Sequence, residues 1–127
     1  MKRAHSFLGL FVFAFCTVLS AVEFSNYSSS AAQASAVIKS SGGRIIQLIG
    51  YNGSASDQFI QLHNSASLPA DTAVPFRSFK ALAGKNFSLD VPAQGLAMGT
   101  GIVVCNSSTS ATKTIGAADC LFYVIYQ

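Results

Sequence analysis

The sequence has few charged residues, and this shortage narrows the classes of protein to which the chain can belong. Charged residues make up 10% of the 127 positions, whereas a typical soluble domain carries about 25%. A surface with so little charge is poorly protected against association. The composition therefore favours a protein that lives in an assembly, although small secreted β domains rich in Ser, Thr and Gly share it.

A cluster of basic residues is also missing. The formal net charge is +3, but Lys2 and Arg3 at the start contribute two of the positive charges. The other six basic residues are scattered over the chain and face five acidic ones: Lys39, Arg44, Arg77, Lys80, Lys85 and Lys113. Nucleic-acid binding requires a clustered basic face that neutralises several phosphates. We therefore expect no nucleic-acid partner.

Recognisable catalytic and metal-binding motifs are absent as well. His63 is the one histidine after the first five residues, and no serine lies in a Gly-x-Ser-x-Gly motif. No glutamate follows Glu23, which argues against paired glycosidase carboxylates. The aspartates mostly lie at predicted turns or strand ends, where Asp bonds its own backbone: Asp57, Asp71, Asp90 and Asp119. We expect a non-enzymatic protein with no catalytic, cofactor-binding or metal-binding residues, in which His63 is structural.

An apolar leader opens the chain. Lys2 and Arg3 precede sixteen uncharged residues, 7–22, which as a helix would span about 24 Å. That length is short of the ~30 Å hydrocarbon core of a bilayer, so a cleaved signal peptide fits better than a membrane anchor. Ser20 and Ala21 are candidate cleavage positions, but both sites lack the small residue preferred at −3. A retained anchor, a misplaced start codon and a buried structural helix are the alternatives.

The remainder of the chain divides into a linker and a β domain. Residues 23–35 are rich in Ser, Ala and Asn without a period, which predicts a flexible linker. Residues 36–127 show period-two alternation broken by turn signals, and about seven strands are predicted: 36–39, 44–51, 58–63, 74–82, 87–91, 102–106 and 121–126. We therefore expect a hydrophobic helix over 1–22 and an all-β domain over 36–127. Its predicted architecture is a small antiparallel β-sandwich, jelly-roll-like or immunoglobulin-like, or a small barrel.

Local signals also predict turns and strand faces. Gly42-Gly43 predicts a glycine turn between the first two strands, and Asn52-Gly53 predicts a second turn, of type I′. Residues 58–63 alternate between two sets that face opposite ways, of which only one can face the main core. One set is Gln58, Ile60 and Leu62, and the other is Phe59, Gln61 and His63.

The two cysteines of the β domain flank a Ser/Thr/Gly-rich stretch between the last two predicted strands. A disulfide between Cys105 and Cys120 would add about 3 kcal/mol by closing a loop of this length. Export across a membrane would supply the oxidising compartment. Two buried free thiols are the alternative, since free cysteine is among the most buried residue types.

Four Asn-x-Ser motifs match the N-glycosylation pattern, at Asn26, Asn52, Asn86 and Asn106. In a chain this rich in Ser and Asn, chance accounts for them.

Four stretches resemble a group of small β proteins encoded by tailed bacteriophages and prophages and associated with the virion. The similar residues are Tyr51-Asn-Gly-Ser-Ala-Ser-Asp-Gln-Phe-Ile-Gln-Leu-His-Asn64, Leu68-Pro-Ala-Asp-Thr-Ala-Val-Pro75, Gly101-Ile-Val-Val-Cys-Asn-Ser-Ser-Thr109 and Lys113-Thr-Ile-Gly-Ala-Ala-Asp-Cys120. The resemblance extends over somewhat more than half of the chain. It implies a particle component, such as a decoration, spike or fibre-associated module. The leader departs from this group, because virion proteins assembled in the cytoplasm need no export signal.

Two functional hypotheses follow. The first is a structural protein located in a phage virion or its capsid. The alternative is an exported β-sandwich that acts as a cell-surface or periplasmic, adhesin-like binding module. In either case the expected partners are other virion or surface proteins and further copies of the chain, as a homo-oligomer. The apolar leader adds a possible contact with a membrane.

Overall fold

The structure is a computed structural model that describes residues 20–127. Within that range the chain forms nine β-strands and no helix: β1 Ser25–Ser28, β2 Ser35–Lys39, β3 Gly43–Asn52, β4 Gln58–His63, β5 Arg77–Ala81, β6 Asn86–Leu89, β7 Leu96–Met98, β8 Ile102–Ser107 and β9 Cys120–Tyr126. The strands form two antiparallel sheets, so the predicted all-β, sandwich-like fold is confirmed for these residues. None of the described residues forms a helix long and apolar enough to cross a membrane. The helix predicted for the leader lies, up to residue 19, outside the described residues.

The pairing of the strands is mostly long-range. Sheet A has the order β1-β9-β3-β6, with the short β7 also paired to β3, and sheet B has the order β2-β8-β4-β5. When β7 is left out, the first strand pairs with the last, the second with the second-to-last, the third with the sixth and the fourth with the fifth. This is the pairing of one long antiparallel hairpin rolled into two sheets.

The two turn signals do not join paired strands. Gly42-Gly43 connects β2 in sheet B to β3 in sheet A, so the strands around this turn are not neighbours. Asn52-Gly53 likewise leads from sheet A to sheet B, and neither residue has the positive φ of a type I′ turn. The Asn52 side chain instead points inward, where Nδ2 donates to Ala81 O at 3.0 Å. The predicted type I′ turn is therefore wrong, because a local turn signal does not specify the sheet that the next strand joins.

The predicted linker contains a strand. Strand β1 pairs with β9 at one edge of sheet A, and the hydroxyl of Tyr27 donates to Gln33 Oε1 at 2.7 Å. The backbone N–H of Gln33 donates to Cys120 O at 2.7 Å, which ties the end of this segment to β9. The linker prediction over 23–35 is therefore wrong for these residues. An edge strand leaves most of its side chains exposed, so Ser and Asn serve there as well as apolar residues do.

The core lies between the two sheets. Its central side chains are at most 1% exposed and come from both sheets: Ile45, Leu48, Ile60, Leu62, Met98, Ile102, Val104, Phe122 and Val124. Burial of each large side chain stabilises the fold by about 1.5–3 kcal/mol. The ring of Phe87 lies edge-on to Phe79 of the other sheet, with centroids 5.9 Å apart. Gly50 makes room for that ring, because a Cβ there would collide with Phe87 and with the carbonyl of Leu121.

Candidate functional site

The two outer faces of the sandwich differ, and the outer face of sheet B is buried at its centre, on strands β4 and β8. Alternation along β4 and β8 directs Gln61, His63, Val103 and Cys105 away from the core. Each of these residues is nevertheless at most 3% exposed. The loops over residues 64–76 and 108–119 lie over them. We call these four residues the covered face.

Gln61 bonds the loop over residues 108–119 to the covered face. Its Nε2 donates to the backbone carbonyls of Thr109 at 2.8 Å and Thr112 at 3.0 Å. Its Oε1 lies 3.2 Å from Nε2 of His63. Both ends of the buried amide are thus satisfied, and the loop carbonyls gain the donor that they need away from water.

Lys113 joins the two covering loops to each other. Its side chain is 8% exposed, and its Nζ donates to Pro69 O at 2.6 Å. Its backbone carbonyl accepts from Thr72 N–H and its own N–H donates to Ala73 O, both at 2.8 Å. The carboxylate of Asp71 lies 4.0 Å from the ammonium and partly balances its charge. The loops over residues 64–76 and 108–119 are therefore joined to each other where they cover sheet B.

His63 is held as a neutral side chain. Burial, and secondarily the charge of Lys113, lower its pKa below the ordinary 6.5. A neutral imidazole in this position donates from Nε2 to Gln61. Asp57 is engaged elsewhere, 2.7 Å from Lys80 Nζ. Among residues 20–127, no group of three or more His, Cys, Asp or Glu side chains is placed to hold a metal ion.

The two cysteines are free thiols in the structure, which is the alternative to the predicted disulfide. Cys105 lies on the covered face, whereas Cys120 belongs to the core between the sheets. Asn106, whose side chain points opposite to that of Cys105, places Nδ2 3.4 Å from Cys120 Sγ. Burial raises the pKa of Cys105 to about 11 and also raises that of Cys120. Both thiols are therefore protonated at neutral pH. Cys105 points away from the core in which Cys120 is buried, so the two side chains are not placed to form a disulfide.

Two of the four Asn-x-Ser motifs lie in the interior. Asn52 is 0% and Asn106 is 1% exposed, and the amide nitrogen of Asn106 donates to Ala117 O at 2.8 Å. Neither could carry a glycan in this fold. Asn26 and Asn86 are exposed on the outer face of sheet A.

The middle of that outer face carries apolar side chains and no charge, whereas Arg44 points outward near the start of β3 and donates to Gln94 O at 3.1 Å. From Gln47 of β3 onward, and on the strands paired with that stretch, the outward positions are Asn26, Ser28, Gln47, Ile49, Tyr51, Asn86, Ser88, Leu121, Tyr123 and Ile125. The larger ones keep 36–39% of their surface exposed: Ile49, Tyr51, Tyr123 and Ile125. We call these ten residues the bare face.

The bare face has an apolar middle and two polar margins. Ile49 and Tyr123 are register partners on the central strands β3 and β9. Ser28 and Ser88 occupy the same row on the outer strands β1 and β6. Shallow grooves run on either side of the Ile49–Tyr123 pair, one toward Phe87 and the other toward β1. The bare face is thus grooved rather than flat.

The sequence contains a signal for the bare face that its strand assignments left unused. Residues 121–126 are apolar or aromatic at every position, which is typical of a strand buried on both sides. The structure buries only alternate members of this run, Phe122 and Val124. Leu121, Tyr123 and Ile125 of this run, with Ile49 and Tyr51 of β3, are the apolar residues on the outer face of sheet A.

Comparisons with protein-family models, with curated proteins and with solved structures gave no match to this chain.

Proposed function

We propose that the protein is a non-enzymatic structural component of a virus particle, as a decoration, spike or fibre-associated β module. The observation that carries this proposal is the bare face, because a contiguous apolar surface without charge is typical of a protein that works by contact. The resemblance of residues 51–120 to virion-associated phage proteins supports the same reading. Other virion proteins are its proposed partners.

The strand pairing supports a finer description of the fold, a jelly roll. In that fold the strands pair as a rolled hairpin, as β1 with β9, β2 with β8, β3 with β6 and β4 with β5 do here. Jelly rolls occur in viral capsid proteins and also in lectins and cupins. The fold is therefore compatible with a particle component, and the function rests on the surface rather than on the fold.

The proposal is tested on particles made by cells that carry the gene. Particles are purified on a density gradient, and peptides from residues 20–127 are quantified by mass spectrometry against the major capsid protein. We expect a fixed ratio across gradient fractions, and a similarly abundant host protein serves as the control. Particles that are infectious and lack the chain would contradict the proposal.

An exported cell-surface or periplasmic binding module is the second candidate, and the leader favours it. Lys2 and Arg3 followed by the uncharged residues 7–22 are typical of export signals. Cell fractionation combined with the N-terminal residue of the mature protein tests this candidate. Cleavage after Ser20 or Ala21 supports it, and a cytoplasmic product that retains Met1 removes it.

A further inference from the structure

We infer that the bare face binds the bare face of a second copy of this chain, in a face-to-face homodimer. The inference rests on the proposed function, because it names the contact through which such a building block would assemble. It is carried by the charge, the layout and the hydrogen-bonding capacity of the ten residues.

Charge favours a second copy as the partner. In a symmetric face-to-face dimer, residues of the bare face meet residues of the same set. The set contains no charged side chain, and Arg44 lies outside it near the start of β3, where it donates to Gln94 O. Pairing of the ten residues therefore brings no like charges together and needs no opposite charge. A charged partner, such as nucleic acid or an anionic headgroup, would leave its charges buried without a counter-charge, which is costly.

The layout has the anatomy of a protein interface. The central strands β3 and β9 contribute the large apolar and aromatic residues, and the margins on β1 and β6 contribute Asn26, Ser28, Asn86 and Ser88. An apolar middle with a polar rim is the usual arrangement of interfaces, in which tyrosine is also enriched. Amide and hydroxyl groups both donate and accept hydrogen bonds, so the rim of one copy can pair with the rim of another.

Hydrogen bonding favours another sheet over an irregular segment. On the covered face Gln61 supplies donors to the loop that lies over it, because loop carbonyls must be satisfied when they are buried. The apolar middle of the bare face offers only the Tyr51 and Tyr123 hydroxyls and Gln47 for that purpose. A second sheet has its backbone groups already paired, and two such faces pack about 10 Å apart with interdigitating side chains.

The area predicts a weak dimer. Four strands about 4.8 Å apart and seven residues at about 3.4 Å each give a patch of roughly 20 by 20 Å. Two copies would then bury on the order of 800 Å² in total, below the ~1,200 Å² of stable interfaces. Isolated copies should therefore associate only at high concentration. Copies held side by side in a particle should bind one another more strongly, because their effective concentration is high.

Sedimentation velocity tests the dimer with the full chain as the producing cell leaves it, at about 1 to 500 μM. Ile49→Lys places a charge in the middle of the bare face. Val74→Lys is the matched control, since Val74 is 77% exposed in the loop 64–76. We expect wild type and Val74→Lys to show a concentration-dependent dimer, and Ile49→Lys to associate at least about tenfold more weakly.

A mixture of Ile49→Lys with Ile49→Glu distinguishes a second copy from any other occupant. If the face binds its own copy, the opposite charges restore the dimer that each variant lacks alone. Near-UV circular dichroism confirms the fold, and Tyr123→Lys replaces Ile49→Lys if that variant unfolds. A monomeric wild type, equal association of the Ile49→Lys and Val74→Lys variants, or a mixture that stays monomeric overturns the inference.

These outcomes are separate from those of the particle experiment. A chain that is present in particles but monomeric in solution and insensitive to Ile49→Lys removes the dimer and leaves the proposed function. A chain that dimerises through this face but is absent from particles removes the proposed function and leaves the dimer.

Discussion

The covered face and the bare face reverse the usual relation between polarity and burial. Gln61 and His63 are polar yet buried, whereas Ile49 and Tyr123 are large and apolar yet exposed by 38–39%. The difference lies in the connections: long loops follow β4 and β8 on the outside of sheet B, and no described segment crosses the outside of sheet A. A loop that lies on a sheet needs hydrogen-bond donors beneath it, and Gln61 provides them. On sheet B, a polar side chain thus lies beneath the loop that covers it, whereas on the bare face the large side chains are apolar and partly exposed.

The comparison is tested most strongly by truncating a glutamine on each face. Gln61→Ala removes the donor to Thr109 and Thr112 and the partner of His63, so buried groups lose their hydrogen bonds. We expect a loss of about 3 kcal/mol in the free energy of unfolding, measured with urea. Gln47→Ala on the bare face is the control and should change that free energy by less than about 0.5 kcal/mol. Equal losses in the two variants would show that the loops do not depend on Gln61.

A second pair compares two lysines. Lys113→Met keeps the length of a buried side chain but removes its hydrogen bond to Pro69 O, and we expect a loss of about 1–2 kcal/mol. Lys80→Met removes an ion pair whose side chains are 54% and 40% exposed, and exposed pairs of this kind contribute little.

Thiol labelling followed by peptide mass spectrometry adds a local measure. In the Lys113→Met variant, the loops over residues 64–76 and 108–119 should open more often and expose Cys105. Labelling of Cys120 requires the core to unfold. A variant that labels both cysteines at equally increased rates would show that the cover has no independent motion.

Many of the strands could be predicted from the sequence, because apolar and polar residues alternate along a strand that has one buried face. Strands β8 and β9 each differ by one residue from their predictions at 102–106 and 121–126. Strands β1 and β7 were missed because they are short, and β1 is almost entirely polar. The sheet to which each strand belongs depends on contacts between distant parts of the chain, such as Ser25 with Tyr126. Local turn signals contain no information about such contacts.

The sites were harder to predict than the strands. The sequence showed that residues 58–63 have two faces, and it implied that one faces the core while the other does not. The structure buries members of both sets, because a loop far along the chain, over residues 108–119, bonds to Gln61. His63, which was expected to be structural, is 3% exposed, and its Nε2 lies 3.2 Å from Gln61 Oε1. The bare face emerges only once sheet order shows which apolar residues are left over.

The pH dependence of stability gives a smaller test of the covered face. The pKa of His63 in the folded chain lies below its ordinary 6.5, so the unfolded chain binds this proton more readily. Stability is therefore complete above about pH 6.5 and falls as the pH drops below that value. His63→Gln should therefore reduce the difference between the free energies of unfolding measured with urea at pH 7.5 and at pH 5.5. The Asp57 carboxyl, whose pKa is lowered from 3.8 by Lys80, contributes only at lower pH. A slope unchanged by His63→Gln would place its origin elsewhere.

The smallest effect is expected on the bare face itself. Ile49→Thr keeps a β-branched side chain on β3 and exchanges a partly exposed apolar group for a hydroxyl that water can solvate. We expect the free energy of unfolding to change by less than about 0.5 kcal/mol. Val103→Thr makes nearly the same exchange on the covered face, where the hydroxyl would be buried, and should cost about 1–3 kcal/mol. The two variants differ mainly in whether the fold covers the site, so equal costs in the monomer would show that this cover does not determine the cost. If dilution to a monomer makes a large cost at Ile49 disappear, the cover is instead supplied by the second copy.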